Sequence, residues 1–271
     1  MSLPAFRFKK FKVAQEGAAQ PVGTDAVLLG AWADVRGAKR FLDIGTGTGV
    51  VALMLAQRLD SCCAPDQSNA LDRSWNGMAV EIHPPSAALA RSNFAASPWA
   101  RQLDVWEGSI QKFSSFVEAH TSEELPESFK LSGSSSYINP SFDLIVSNPP
   151  FFSELTISPN IERSLGRHTA TLSPGDLLAC VSRLLTPNGK FCAVMPALEG
   201  RRLCELAVSL GLYWTKITEV RSRPGKPVER LLIQFEKSPY DFQREEFSIY
   251  AGKTGNEYAQ EFLEMTRDFY L

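Results

Sequence analysis

Arg40-Phe41-Leu42-Asp43-Ile44-Gly45-Thr46-Gly47-Thr48-Gly49 runs directly into the apolar stretch Val50 to Leu59. A short apolar strand, a turn of alternating glycines and a helix-compatible run make the first unit of a doubly wound α/β fold. The glycines let backbone approach a ligand closely, and Asp43 supplies a carboxylate at the strand end. The spacing lacks the third glycine of a dinucleotide fingerprint, since Val50 stands there, and it lacks the Gly-Lys-Ser/Thr ending of a phosphate loop. A carboxylate beside such a turn suits a cationic amino-acid ligand better than a pyrophosphate. Asp43, Gly45, Thr46, Gly47, Thr48 and Gly49 are therefore candidate ligand-binding residues.

Outward from this unit, Met78-Ala79-Val80-Glu81-Ile82 reads as the second strand. Glu81 at its end is placed to accept hydrogen bonds from two vicinal hydroxyls of a ribose. Pro84 to Ser97 reads as a helix offering Ala87, Leu89, Ala90 and Phe94 to a core. Leu103 to Ile110 reads as the third strand and its turn, with Ser109 and Ile110 placed to flank the adenine of a nucleoside cofactor; simple packing is the alternative for Ile110.

The next strand ends unusually: Phe142-Asp143-Leu144-Ile145-Val146-Ser147-Asn148-Pro149-Pro150-Phe151-Phe152. The apolar run suits a strand buried on both faces, and two prolines forbid continuation of the ladder or entry into a helix at Asn148. Asn148 is thereby held at a strand's carboxyl edge, where ligands bind in open α/β sheets. Its side-chain oxygen and the carbonyl of Pro149 can accept both hydrogens of a planar amino group, which keeps the nitrogen lone pair out of conjugation with a ring. Phe151 can stack on that ring, a contact worth roughly 1–3 kcal/mol. An ordinary strand-ending turn with core phenylalanines is the alternative for the motif taken alone.

With 271 residues and 44% apolar content, the chain can bury one large core. The formal charge of −2 gives no global attraction to nucleic acid, so an RNA partner would need local basic patches. No apolar stretch reaches the roughly 20 residues of a membrane span, and the N-terminal Phe/Lys alternation is no signal core. Five cysteines (Cys62, Cys63, Cys180, Cys192, Cys204) and three scattered histidines (His83, His120, His168) form no ligand pattern. The cysteines read as reduced cytoplasmic thiols, and the set offers no metal site and no nucleophile triad.

Phe6 to Val13 alternates aromatic or apolar residues with cations, the pattern of a strand with one basic face; Lys9 and Lys10 there can contact RNA or simply guard an edge. A helix starts near Thr24, capped by Thr24 or Asp25. Ser61 to Gly77 and Ser114 to Ser141 read as insertions. Ser173-Pro174-Gly175-Asp176 starts a helix with Ser as cap. Lys190 to Met195 is a strand, Glu199 to Leu210 a helix, and Asn256 to Phe269 an amphipathic terminal helix. Tyr213 to Arg221 and Arg230 to Glu236 pair around a turn that gathers Arg221, Arg223, Lys226 and Arg230 with only Glu229 opposing. That turn makes a phosphate-binding arm or a solubilising margin.

Asp43 to Gly49, Glu81 and Asn148-Pro-Pro-Phe151 resemble the motifs of S-adenosylmethionine-dependent amino-group methyltransferases. The segments Phe6 to Trp32 and Thr266 to Leu271 narrow the likeness to the bacterial tRNA1(Val) adenosine-N6 methyltransferases, nearly end to end. The resemblance implies a Rossmann-like, mostly parallel seven-stranded sheet with its last strand antiparallel. The domain is single, 1–271, with an N-terminal basic arm (1–35) and insertions near 61–77 and 114–141. It implies S-adenosylmethionine as cofactor, held by Thr24, Asp43, Gly45 to Gly49, Glu81, Ser109, Ile110 and Asn148. It further implies direct transfer to the exocyclic nitrogen of an adenosine beside the anticodon of a valine tRNA, with Asn148, Pro149, Pro150 and Phe151 on the base. Arg163 and Arg167 after the catalytic loop would join Lys9, Lys10, Arg221, Arg223 and Lys226 on the RNA. A cytoplasmic monomer is expected. The competing readings are a methyltransferase of protein glutamine or another RNA adenine and a noncatalytic RNA-binding module; a nicotinamide oxidoreductase is disfavoured by the missing glycine.

Overall fold

Strand β3 (Arg40–Ile44) is buried at every residue, as a strand flanked on both sides and covered on both faces must be. In the computed structural model, which describes residues 4–18, 20–62, 75–119, 141–149, 172–239 and 241–270, it lies inside an eight-stranded sheet. Its parallel neighbours are β4 (Asn76–Glu81), followed by β5 (Leu103–Glu107), and on the other side β6 (Phe142–Ser147) and then β7 (Leu185–Pro196). Beyond β7 come β9 (Arg230–Glu236), antiparallel to both neighbours, β8 (Tyr213–Arg221), and β10 (Gln243–Ser248), parallel to β8. The expected seven-stranded sheet with its seventh strand reversed is there, and β10 adds an eighth strand at one edge. That strand carries Gln243-Arg-Glu-Glu-Phe-Ser, mostly exposed and without an apolar face, so it offers no strand signal while guarding the edge with charge.

Side chains along each inner strand alternate between two cores. Phe41, Ala79, Leu144 and Val146 face one with α1 (Thr24–Trp32), α2 (Val50–Cys62), α3 (Pro84–Ala95) and α7 (Gln260–Thr266). Leu42, Ile44, Met78, Val80 and Ile145 face the other with α4 (Ile110–Ala119), α5 (Pro174–Leu184) and α6 (Ala197–Val208). This is the three-layer α/β arrangement, helices on both faces of the sheet. Side chains stitch β3 to β6 at both ends. Asp143 accepts from the backbone N–H groups of Lys39 and Arg40, each at 3.0 Å, and Ser147 Oγ donates to the carbonyl of Ile44 at 2.9 Å.

Several boundaries move. Helix α2 continues to Cys62 and β4 begins at Asn76, so both described ends of the 61–77 segment belong to regular elements. The start of 114–141 is helix α4, which buries Ile110, Phe113, Ser114 and Val117 at helical spacing. Ile82 lies outside β4 and is exposed, and Leu89 on α3 yields the core face to Ser86, Ala87, Ala90, Asn93 and Phe94. The N-cap of α1 is Gly23 rather than Thr24 or Asp25, because the Asp25 carboxylate accepts instead from Arg230 Nε at 2.9 Å. The terminal helix is shorter than the amphipathic pattern, Gln260–Thr266. Ser173 does cap α5, its hydroxyl accepting from the Asp176 N–H at 3.0 Å.

The N-terminal alternation forms a small hairpin, β1 (Phe6–Arg7) with β2 (Lys12–Val13). It is not a loose arm: Phe8, Phe11 and Val13 are buried, Phe8 stacks on Phe11 at 4.5 Å, and the Lys9 N–H donates to the Phe269 carbonyl at 2.9 Å. Cys180, Cys192 and Cys204 are free and buried, and burial pushes the Cys192 and Cys204 thiols up to about 12. Among the described residues no helix is long and apolar enough to cross a membrane.

Gly77 in β4 pairs in register with Phe41, whose ring lies where a Cβ would stand, 2.1 Å from Cζ. Phe41 also stacks on Trp75 at 6.1 Å and cannot swing away freely. Gly77→Ala should therefore lower unfolding free energy by about 1–3 kcal/mol through overpacking, read as a lower midpoint in urea with unchanged slope. An unchanged midpoint would mean that the ring has room to move.

Candidate active site

The glycine turn is built by backbone bonds before any ligand is considered. The N–H groups of Gly45 and Thr46 both donate to the Val80 carbonyl, at 2.9 and 3.2 Å, which folds the turn over the end of β4. Gly45, Gly47 and Gly49 all adopt positive φ, 75°, 57° and 83°. Their reasons differ. A Cβ on Gly49 would lie 2.6 Å from the Phe94 ring, so this glycine serves packing against α3, whereas at Gly45 and Gly47 no described atom lies within 4 Å of that position. Those two leave an open cradle facing away from the core.

The two acids shape that cradle. Asp43 is buried, and the Thr46 hydroxyl donates to its Oδ2 at 2.6 Å. Burial pushes the Asp43 carboxyl up to about 7, opposed by the bonds from Thr46 and the Ala52 N–H. The carboxylate thus braces the turn from behind. Glu81 accepts from the Gly47 N–H through Oε2 and from the His83 N–H through Oε1, both at 2.8 Å. Each of its oxygens keeps a lone pair for a further donor such as a hydroxyl.

Across the sheet, Ile44 pairs with Ser147, so Gly45 and Asn148 leave neighbouring strand ends together. Asn148 is half-buried and Pro149 buried; Pro150, Phe151, Arg163 and Arg167 lie outside the described residues. Ser109 begins α4, its hydroxyl accepting from the Lys112 N–H at 3.2 Å, and Ile110 is buried beside Phe113 in the second core. Thr24 is exposed at the first turn of α1, at the same sheet edge, since the adjacent Asp25 bonds Arg230, the residue paired with Pro196 at the carboxyl end of β7.

One buried residue that the sequence pattern passes over holds the turn in place. Asn93 on α3 donates Nδ2 to the Thr48 carbonyl at 2.8 Å and to the Ala14 carbonyl at 3.1 Å, while its Oδ1 accepts from the Ala14 N–H at 2.8 Å. It ties the glycine turn to the N-terminal segment. The available signal was a polar amide beside Phe94 and three residues after Ala90, on the helix's apolar face.

The basic candidates divide. Arg221, Arg223 and Lys226 gather at the β8–β9 turn on the site's own edge, while Lys9 and Lys10 lie on the hairpin, donating to the Arg267 carbonyl and, at 3.3 Å, to Ser61 Oγ. Opposition at the turn is greater than Glu229 alone. Arg221 pairs with Glu246 at 2.9 Å and lies 3.9 Å from Glu219, Arg230 pairs with Asp25, and Glu229 itself accepts from the Ser222 hydroxyl at 2.6 Å. Glu246 and Asp25 come from segments 25 and 205 residues away, which local charge counting cannot see.

A glycine turn after β3, an acid ending β4 and an amide ending β6, on this strand order, define a class I S-adenosylmethionine-dependent methyltransferase. The fold resembles the crystal structure of a predicted O-methyltransferase, Atu636 from Agrobacterium tumefaciens, with a TM-score of 0.58 at 17% identity over 90% of this chain and 96% of that one. At the level of sequence, the chain is 36% identical over 267 residues to the tRNA1(Val) (adenine(37)-N6)-methyltransferase of Tolumonas auensis, covering 98% of this chain and 97% of the relative. It is 37% identical to the protein of the same name from Bacteroides fragilis, covering 100% and 99%. The chain belongs to the tRNA1(Val) (adenine(37)-N6)-methyltransferase family. No family model matches it.

Two tests follow from the turn. Asn93→Ala leaves the Thr48 carbonyl and both backbone groups of Ala14 without their partner. A loss of about 1–3 kcal/mol in stability is expected, with roughly tenfold weaker S-adenosylmethionine binding by calorimetry; unchanged affinity would show that the turn stands without the amide. For Asp43, a folded pKa raised from 3.8 to about 7 means that the native state binds a proton the unfolded chain has lost. Its contribution is full below pH 4 and disappears as pH rises to 7. In Asp43→Asn the fall in melting temperature between pH 5 and pH 8 should shrink; an unchanged fall would assign it elsewhere.

Proposed function

We propose that the chain transfers a methyl group from S-adenosylmethionine to the exocyclic N6 of an adenosine beside the anticodon of tRNA1(Val). The observation that carries this is the placement of Asn148, an amide fixed at a strand end beside the open glycine cradle by the Ser147 to Ile44 bond. The names of the relatives support the choice of tRNA.

The residues present fit the cofactor. Among the described residues no atom lies within 4 Å of the Cβ positions of Gly45 and Gly47, which admits a ligand against the backbone, and Glu81 retains acceptor capacity for ribose hydroxyls. Thr24, Thr46, Thr48, Gly49, Ser109 and Ile110 would complete the enclosure, with Asp43 bracing it. Bound S-adenosylmethionine supplies an electrophilic methyl group.

The chain's own work concerns the acceptor. The Asn148 side-chain oxygen and the Pro149 carbonyl accept the two hydrogens of the adenine amino group, which holds its lone pair out of the ring. Pro150 and Phe151, outside the described residues, complete the motif, with Phe151 the residue to stack on a base turned out of its strand. No strong base is needed, because alignment of the amino group lowers the barrier. Among the described residues Lys9 and Lys10 donate to neutral oxygens, the Arg267 carbonyl and Ser61 Oγ, and would meet phosphates. Arg163 and Arg167 extend that contact beyond the catalytic loop.

Incubation with labelled S-adenosylmethionine and total bacterial tRNA, then nucleoside digestion and mass analysis, should find N6-methyladenosine in valine tRNA. Label in protein and none in RNA would overturn the reading. Asn148→Ala should abolish transfer while leaving cofactor affinity within about tenfold, because the amide acts on the acceptor; parallel loss of both would contradict that role.

A further inference from the structure

Arg223 differs from the other arginines of the β8–β9 turn. Arg221 and Arg230 each meet a carboxylate within 2.9 Å, but among the described residues no carboxylate lies within ion-pair distance of Arg223. Its guanidinium lies over the Tyr250 ring, 4.5 Å from the centroid, with Nη1 donating to the Gly252 carbonyl at 3.3 Å. Tyr250 stacks on Tyr258 at 5.4 Å and 11°, and Tyr258 on Phe262 at 4.8 Å and 28°. Phe262 is fully buried in the first core. A stack of three rings therefore leads from the core to the half-buried Arg223, whose guanidinium has no carboxylate partner among the described residues.

The surroundings are equally suggestive of a ligand. The Tyr250 N–H donates to the Ser222 carbonyl at 3.0 Å and joins the two loops; Lys226 closes the turn of the first, its N–H donating to the Arg223 carbonyl at 3.1 Å, and Lys253 stands three residues after Tyr250 in the second. Neither lysine has a carboxylate within ion-pair distance among the described residues. A groove of about 610 Å³ adjoins Tyr250, lined also by Pro224, Gly225 and Gln260 and by Glu246, which Arg221 pairs with, and Glu261. That volume is within the range of small-molecule sites. Arg221 ends β8 at the same sheet edge as Asn148, and β8 stands three strands from β6. At about 4.8 Å per strand the separation is roughly 14 Å, about four nucleotides of a stacked strand at 3.4 Å each.

We propose that Arg223, seated over the outermost ring of the Tyr250–Tyr258–Phe262 stack, is a stacking platform for an unpaired base of the RNA substrate within about four nucleotides of the methylated one. The proposal rests on the RNA reading above and adds to it a second point of contact. Arginine serves because its guanidinium is planar and stacks on bases, which an ammonium cannot do. Lys226 and Lys253 then meet the phosphates on either side.

The test uses the full chain with S-adenosylhomocysteine and valine tRNA assembled from synthetic halves, carrying single abasic substitutions in the anticodon loop. Binding is read by fluorescence anisotropy across a salt series. With the unaltered protein, one abasic site within about four nucleotides of the target should weaken binding roughly tenfold. Arg223→Lys should bind intact tRNA roughly tenfold more weakly with its salt slope unchanged, and lose no more at that abasic site. Arg223→Ala should do the same and flatten the slope by about one. Unchanged cofactor affinity in both variants reports an intact fold. If Arg223→Lys binds like the unaltered protein and every abasic site costs both proteins equally, the platform is overturned while tRNA methylation stands. If the unaltered protein neither binds nor methylates tRNA, the RNA reading falls and the platform with it.

Discussion

The pairing of β3 with β6, pinned by Asp143 at one end and Ser147 at the other, is the constraint on which the site depends. From β3 the chain moves outward through β4 and β5, then returns to add β6 on the opposite side. The loops leaving β3 and β6 must therefore diverge, and a crevice opens between them at the carboxyl edge. A slip of one residue in this parallel ladder would turn every side chain of β6 to the wrong core. The two polar clamps fix the register that packing alone would leave to shape.

Around that crevice the acidic residues work mainly on the protein. Asp43 holds Thr46, and Glu81 holds the N–H groups of Gly47 and His83. A glycine turn is loose by nature, because its residues lose much conformational entropy on folding. Three side chains, those of Asp43, Glu81 and Asn93, offset that looseness by bonding the turn from below, from the side and from α3. Preorganisation of this kind lets a flexible sequence present a defined surface.

Elements with a strong local signal were legible in the sequence. The glycine turn, the buried strand ending in Asn148, and the Ser173 cap with Pro174 and Asp176 each carry their instruction within a few residues. Helix α4 was obscured because its apolar positions begin at Ile110, inside the preceding turn, and continue into a polar stretch. Strand β10 has no apolar alternation and exists because β8 offers it an edge. Asn93 and the carboxylates facing Arg221 and Arg230 depend on partners 25 to 205 residues away, and no local window holds that information. The stacked column under Arg223 is of the same kind, since its rings come from the loop after β10 and from α7.

The hairpin at the start of the chain is fastened to segments near its other end: Lys9 Nζ bonds the Arg267 carbonyl across 258 residues, and the Phe8 ring lies edge-on to Phe269. Contacts of such separation carry a cost in loop-closure entropy that grows only slowly with length. The same hairpin leads to Ala14, which Asn93 clasps together with Thr48, so the docked chain ends and the glycine turn share one side chain. An element that touches none of the reacting atoms is thereby joined, through one buried amide, to the turn that would hold the cofactor.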